Sequence, residues 1–226
     1  MLRISVIIPA LNEESIIAST LEALRPLAPT EVIVVDGGST DHTREIVART
    51  DATLTSSARG RAEQMNHGAR LARGDVFLFL HADTHPPPSA IREIRSALED
   101  PRCVGGRFDV RLEGNHSIYR LIGALINLRS RLTKVATGDQ AIFVRREVYE
   151  EIGGFPNLPL IEDIAFSRYL KKKGKVACLK SRVATSARRW EREGIWQTVL
   201  RMWALRLLYL AGVSPFRLKR FYGDAR

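Results

Sequence analysis

The chain has 226 residues, 45% hydrophobic and 27% charged, with a formal net charge of +10. That size supports one large domain with its own core, while two distant cysteines, Cys103 and Cys178, exclude a disulfide framework and fit a reducing compartment. No run of about 18 uncharged apolar residues is present, which excludes a membrane-spanning helix, and residues 1–9 lack the layout of a signal peptide.

In chain order, 4–8 is a short apolar run ending at Pro9 and reads as a buried strand. Residues 10–14 turn into a helix with Asn12 as its cap. Ile16, Ile17, Leu21 and Leu24 keep helical spacing, and Pro26 and Pro29 end it. Strand 32–35 is β-branched and runs into Asp36-Gly-Gly-Ser-Thr-Asp41. A helix over 43–50, a strand over 52–55 and a helix over 61–72 follow. Apolar residues 76–80 make a fourth strand that stops at His81-Ala82-Asp83. Past Pro86-Pro87-Pro88, Ser89 caps a helix to about residue 99. Strands alternating with helices at this spacing predict a parallel sheet covered on both faces.

The second half is mixed. Residues 106–112 alternate apolar and polar like a half-exposed antiparallel strand, 118–132 is helical and 141–144 is a buried strand. Short helices are predicted over 146–152 and 164–170, and 176–179 with 182–185 reads as a terminal strand pair. No repeat or linker interrupts the chain. The expected organisation is a single domain over 1–226, made of halves 1–100 and 101–190 and a basic amphipathic extension, 191–226.

Three strands of the first half end in polar loops, 10–13, 36–41 and 81–83. In a parallel sheet all three share one edge, beyond the carboxyl ends where α/β sheets bind ligands. A carboxylate straight after a buried strand is costly unless something neutralises it. Asp83 is therefore placed to meet a ligand or cation; a turn Asp capping the next helix is the plainer reading. Gly37 and Gly38 permit a tight turn, but the segment fits neither G-x-G-x-x-G nor G-x-x-x-x-G-K-[ST], which argues against a dinucleotide or P-loop site. Asp36 could accept hydrogen bonds from a base or ribose, or simply serve the turn.

The segments V-I-I-P-A-L-N-E (6–13), V-V-D-G-G-S-T-D (34–41), G-R-A-E-Q-M-N-H-G-A (60–69), H-A-D-T (81–84), G-D-Q-A-I-F-V-R-R (138–146), G-G-F (153–155) and E-D (162–163) stand in this order. Together they resemble family 2 glycosyltransferases over roughly residues 3–190. The closest likeness is to a small bacterial subgroup with H-A-D-T in place of the usual acidic triplet, some of whose members are linked to glycosylation of carotenoid-type lipids.

The resemblance implies an α/β, A-type glycosyltransferase fold like that of nucleotide-diphospho-sugar transferases: three layers, α/β/α, around a mainly parallel mixed sheet. It implies a nucleotide-binding half at 1–100 and an acceptor-binding half at 101–190. It also implies an inverting transfer of one sugar, from a uridine diphosphate donor, to a hydroxyl or carboxyl acceptor. By this likeness Asp83 binds Mn²⁺ or Mg²⁺, hard cations that neutralise charge on the leaving diphosphate. His81 stands where many members carry a nucleotide-contacting Asp, leaving one protein carboxylate there, so metal affinity without nucleotide is expected to be poor. Asp36 reads the base, Pro9, Leu11, Glu13 and Ala82 line the same pocket, and Arg61 is a basic residue of the nucleotide site. Asp163 is the general base, with Glu162 beside it; helix-start acids complementing the macrodipole are the plainer reading of that pair. Gly138 and Asp139 lie on the acceptor side. Arg188-Arg189-Trp190 partly matches the Q-x-x-R-W signature of processive synthases, with Ser186 where the Gln should be. Trp190 stacks on sugar or acceptor in that reading, and is an ordinary buried tryptophan in the other.

After Asp163, sixteen Lys/Arg face only Glu191, Glu193 and Asp224, a surplus of 13. Residues 195–210 carry a helical apolar stripe of Trp196, Val199, Leu200, Trp203, Leu207 and Leu210, with Met202, Leu205, Leu208 and Tyr209 on the other side. A helix apolar nearly all round is buried or meets protein or lipid on both sides. Arg217, Lys219, Arg220 and Arg226 follow, so an anionic membrane surface is the favoured partner and a second copy of the chain the other. The expected location is cytoplasmic, peripheral on the inner face of the membrane. The acceptor is expected to be lipid-like or a small molecule. A nucleotidyltransferase would need a Gly-rich basic loop after the first strand, which is missing. A basic nucleic-acid or membrane module explains the tail but not three acidic loops on one edge, so no nucleic-acid partner is expected.

Overall fold

The computed structural model describes residues 1–114 and 116–222. Arg226 of the basic tail lies outside the described residues. The strands are β1 (Ile4–Ala10), β2 (Glu31–Asp36), β3 (Thr53–Ser56), β4 (Val76–Phe79), β5 (Thr84–His85), β6 (Cys103–Glu113), β7 (Ile142–Arg145) and β8 (Lys175–Ser186). The helices are α1 (Ile17–Leu24), α2 (Thr43–Ala48), α3 (Arg61–Leu71), α4 (Ala90–Ala97), α5 (Ile118–Thr133), α6 (Arg146–Ile152), α7 (Glu162–Lys173), α8 (Arg188–Glu193), α9 (Ile195–Leu210) and α10 (Pro215–Tyr222). All eight strands form one sheet in the order β3-β2-β1-β4-β7-β6-β8-β5.

The apolar runs of β1, β2 and β4 are unalternating because both faces of the sheet are covered. Ile4, Val6 and Ile8 pack with Ile17, Leu21, Val47 and Ile91 on one side. Ile7 of the same strand packs with Met65, Phe77, Phe79, Tyr149 and Phe166 on the other. The layers are α/β/α. β1, β2, β3 and β4 pair in parallel, whereas β7 runs antiparallel to both β4 and β6.

Three local expectations are corrected. Residues 106–112 alternate, but of their polar side chains only Arg111 is solvated: Arg107 and Asp109 are buried and paired, and Arg131 of α5 also pairs with Asp109. The alternation records an internal ion-pair network. Residues 176–179 and 182–185 do not pair with each other. They are two parts of β8, which runs parallel to β6, and a register irregularity between Phe108 and Asp109 separates them. Asn12 does not cap α1, whose cap position is Ile16. It adopts a left-handed φ of 54° and its Oδ1 accepts from the Thr40 amide at 2.9 Å. Asn is among the few residues that enter that region readily. Its work is to tie the first polar loop to the second.

Candidate active site

The parallel pairings fix where the loops fall. Ala10 lies opposite Asp36, and Ile7 opposite Phe79, so loops 10–14, 36–41 and 81–83 leave the same edge of the sheet. The first two are knitted together: the Asn12 amide donates to Ser39 Oγ, Glu13 to Thr43 Oγ1 and Glu14 to Asp41 Oδ2. Gln64 of α3 braces them from below, its Nε2 donating to the carbonyls of Ala10 and Val35 at 2.8 Å each.

The second half brings its acids to the same edge. Arg61, at the start of α3, bonds Glu162 at the start of α7 at 3.3 Å. Burial opposes the charge on Arg61, but Glu162, Asp163, Asp83 and Asp139 together outweigh it and leave its pKa raised. Of these four carboxylates, Glu162 touches the guanidinium and the other three act on it electrostatically. Asp163 is buried; its Oδ2 accepts from the Gly138 amide at 2.6 Å and its Oδ1 from Ile164 at 2.7 Å. Gly138 has to be glycine, because a Cβ there would collide with the His81 ring. Burial, with help from Asp163, raises the pKa of Asp139 against the opposing Thr137 hydrogen bond and the charges of Arg129 and Arg206. Arg61, Met65, Phe79, His81, Gly138, Ile142, Phe155, Glu162 and Asp163 line a narrow cavity of about 10 Å³, room for about one water.

Other expected site residues sit differently. Asp36 is fully buried, and its oxygens accept from the amides of Gly38 and Ser39 while Arg44 stands 3.7 Å away. In this placement it holds the loop rather than presenting a carboxylate to the cavity. Pro9, Leu11 and Ala82 are also buried and form the floor under the loops. Trp190, on α8, is buried within the main core, the placement of an ordinary core tryptophan.

Asp83 is partly exposed and its Oδ2 lies 3.7 Å from Arg188, whose Nη2 also donates to Glu13 Oε2 at 3.1 Å. Arg188 thus bridges two of the three loops. Sequence reading placed it only in a partial motif, because what delivers it is β5, a two-residue strand that pairs with the end of β8 and sets α8 over Asp83. Gln64 and Asn66 were likewise unassigned within the quoted 60–69 segment. Asn66 accepts from Tyr149 Oη and the Phe155 amide and donates to the Phe155 carbonyl, which locks the G-G-F turn, with Gly153 and Gly154 both left-handed, against α3.

The sequence profile described as glycosyl transferase family 2 matches residues 5–153. The chain belongs to glycosyltransferase family 2. This family 2 chain is 27% identical to the probable glycosyltransferase YdaM of Bacillus subtilis over 98% of its own length and 60% of that protein's. It is 34% identical to the undecaprenyl-phosphate 4-deoxy-4-formamido-L-arabinose transferase of Pectobacterium carotovorum over 57% of its length and 43% of that protein's. It thus spans roughly half the length of these curated relatives. The crystal structure of glucosyl-3-phosphoglycerate synthase from Mycobacterium tuberculosis, in complex with Mn²⁺, UDP and glucosyl-3-phosphoglycerate, superposes with a TM-score of 0.60 at 21% identity, covering 81% of this chain and 72% of that one. The fold is the A-type glycosyltransferase fold.

Proposed function

We propose that this family 2 glycosyltransferase moves one sugar from a uridine diphosphate sugar to an acceptor hydroxyl with inversion, and that it does so at a membrane surface. The observation that carries the reading is the Arg61–Glu162 pair, with Asp163 next to it on α7 and Asp83 on the third loop, at the edge where the three polar loops converge. Loops 10–14 and 36–43 hold the nucleotide, with Asp36 shaping the second of them, and the sugar lies toward His81 and Gly138. Gly138 and Asp139 face the acceptor.

Asp163 acts as the base. Each of its oxygens accepts one amide hydrogen bond and keeps a lone pair. As the acceptor oxygen bonds to the anomeric carbon, its proton passes to Asp163, and the bond to the diphosphate breaks on the opposite face. The nucleoside diphosphate leaves with the bonding pair, and a single displacement inverts the centre.

Asp83 fits a divalent cation: it is a hard oxygen donor, and the guanidinium 3.7 Å away occupies a spot that accepts positive charge. Mn²⁺ or Mg²⁺ held by Asp83 and the donor phosphates would neutralise charge on the leaving group. Among the described residues no three His, Cys, Asp or Glu side chains gather to hold a metal, so affinity is expected to depend on the nucleotide.

Two apolar rows support the membrane reading. Leu121, Leu125, Leu128 and Leu132 on α5 are exposed, as are Trp196, Leu200, Trp203, Leu207 and Leu210 on α9. Only Thr198 and Leu205 of α9 are buried. No helix among the described residues is long and apolar enough to cross a bilayer. Rows of this kind suit a helix lying in the interface, and a lipid-linked acceptor agrees with the undecaprenyl-phosphate substrate in the name of one relative.

The test is Asp163→Asn. The amide keeps the size and cannot take a proton, so transfer should fall 10²–10⁴-fold while UDP affinity stays within a few-fold. Proton NMR of the wild-type product should show the inverted anomer. Retained configuration, or a greater loss in Glu162→Gln, would assign the chemistry otherwise.

A further inference from the structure

Two arginines near the base have no part in the mechanism above. Arg129 comes from α5 and Arg206 from α9. Nε and Nη2 of Arg129 are buried with no hydrogen-bond partner, and so is Oδ1 of Asp139. Burial, then the charge of Arg206, pulls the Arg129 guanidinium down to about 10, and burial lowers Arg206 as well. At about 10, Arg129 stays charged at neutral pH. Each feels Asp139 and Asp163 electrostatically. Yet among the described residues no hydrogen bond or ion pair joins either arginine to either acid. Unused, desolvated guanidinium donors are costly, and an anion that accepts them relieves that cost.

We propose that Arg129 and Arg206 form an anion subsite beside Asp163 that holds a phosphate carried by the acceptor. This rests on the reading of Asp163 as the base. Phosphate is favoured over carboxylate because two guanidinium forks offer more donors than one planar carboxylate can accept, whereas a phosphate monoester presents three oxygens in a tetrahedron. The donor's own phosphates belong at Asp83. With the acceptor phosphate pinned between α5 and α9, a hydroxyl of the same molecule meets Asp163. That hydroxyl oxygen bonds to the anomeric carbon, its proton goes to Asp163, and the nucleoside diphosphate departs with its electron pair. The phosphate in the subsite keeps all its bonds. The acceptor is then a hydroxyl-bearing phosphate monoester, either the head of a membrane lipid or a soluble molecule.

Calorimetric titration of the full chain with inorganic phosphate, in saturating UDP and Mn²⁺, tests this. Wild type should bind phosphate, and Arg129→Gln and Arg206→Gln should each weaken it at least tenfold. Arg92→Gln, the same charge change at an exposed position on α4, should leave it within twofold. Arg206→Lys keeps the charge and loses the fork, and should give an intermediate loss in a chain whose melting is unchanged. Equal phosphate affinity in wild type and the Arg206 variants would overturn the proposal, as would phosphate binding that UDP abolishes, which would mark the donor's site. Failure of UDP itself to bind, read before phosphate is added, would count against the glycosyltransferase reading and take this proposal with it. Repeating the comparison with glycerol 3-phosphate and with phosphatidic acid vesicles identifies the source. An arginine-dependent loss on vesicles alone means a lipid head group, and one on glycerol 3-phosphate alone means a soluble acceptor.

Discussion

The surroundings of Asp139 oppose its charge. Burial comes first and Asp163 adds to it, so the carboxyl titrates above its ordinary value of 3.8. The native state therefore holds this proton to higher pH than the unfolded chain does. The stabilisation this gives is present below pH 3.8 and is lost as pH rises through the native value. Asp139→Asn removes the ionisable group at nearly constant shape. Its melting temperature should exceed that of wild type at pH 7, and the gap should close as the pH is lowered towards 4. A gap of equal size at both pH values would mean that the carboxylate is not held at a cost. An acid straight after a buried strand marked Asp83 in the sequence, whereas Glu162 and Asp163 stood out only through the family likeness. Orientation was not legible: Asp36 turns back onto its own loop, and Asn12 leaves its helix to bind Thr40. Arg129 and Arg206 carry no local signal, since each stands on a separate helix far from the acids in sequence.

At the scale of elements, period and punctuation gave the parallel half well, since β1, β2 and β4 are buried on both faces and prolines and turn residues separate the helices from them. The second half misled where polar groups satisfied one another inside. The Arg107–Asp109–Arg131 network made buried β6 look half-exposed, and the irregularity opposite Phe108 made one β8 look like two strands. A two-residue strand such as β5 has no pattern to read. Helix α9 ran over the predicted residues 195–210, but one side of it stays open. If α5 and α9 lie in a bilayer interface, the triple change Leu121→Ser, Leu125→Ser and Leu128→Ser should reduce vesicle affinity by about three decades, at roughly 1.5 kcal/mol for each leucine. All three are exposed, so folding should survive. Undiminished co-sedimentation of the variant, with a dimer seen by light scattering, would assign these rows to a second copy instead.

At the scale of the molecule, the sheet gathers cations and acids from distant segments onto one edge. Arg61 from α3, Arg188 from α8 and the acids at 83, 139, 162 and 163 lie there, on five separate stretches of the chain. Arg188 spans Glu13 and Asp83 where the donor diphosphate and its cation are proposed to bind, so loading the site requires it to move onto the phosphates or aside. The central claim is that a nucleotide diphosphate binds at this edge with a divalent cation on Asp83. Calorimetric titration of UDP into wild type and Asp83→Asn, each with and without Mn²⁺, tests it most directly. The account predicts Mn²⁺-dependent binding by wild type, at least tenfold weaker binding by Asp83→Asn, and no remaining Mn²⁺ effect in that variant. UDP binding that is equally tight and equally Mn²⁺-dependent in both proteins would contradict it.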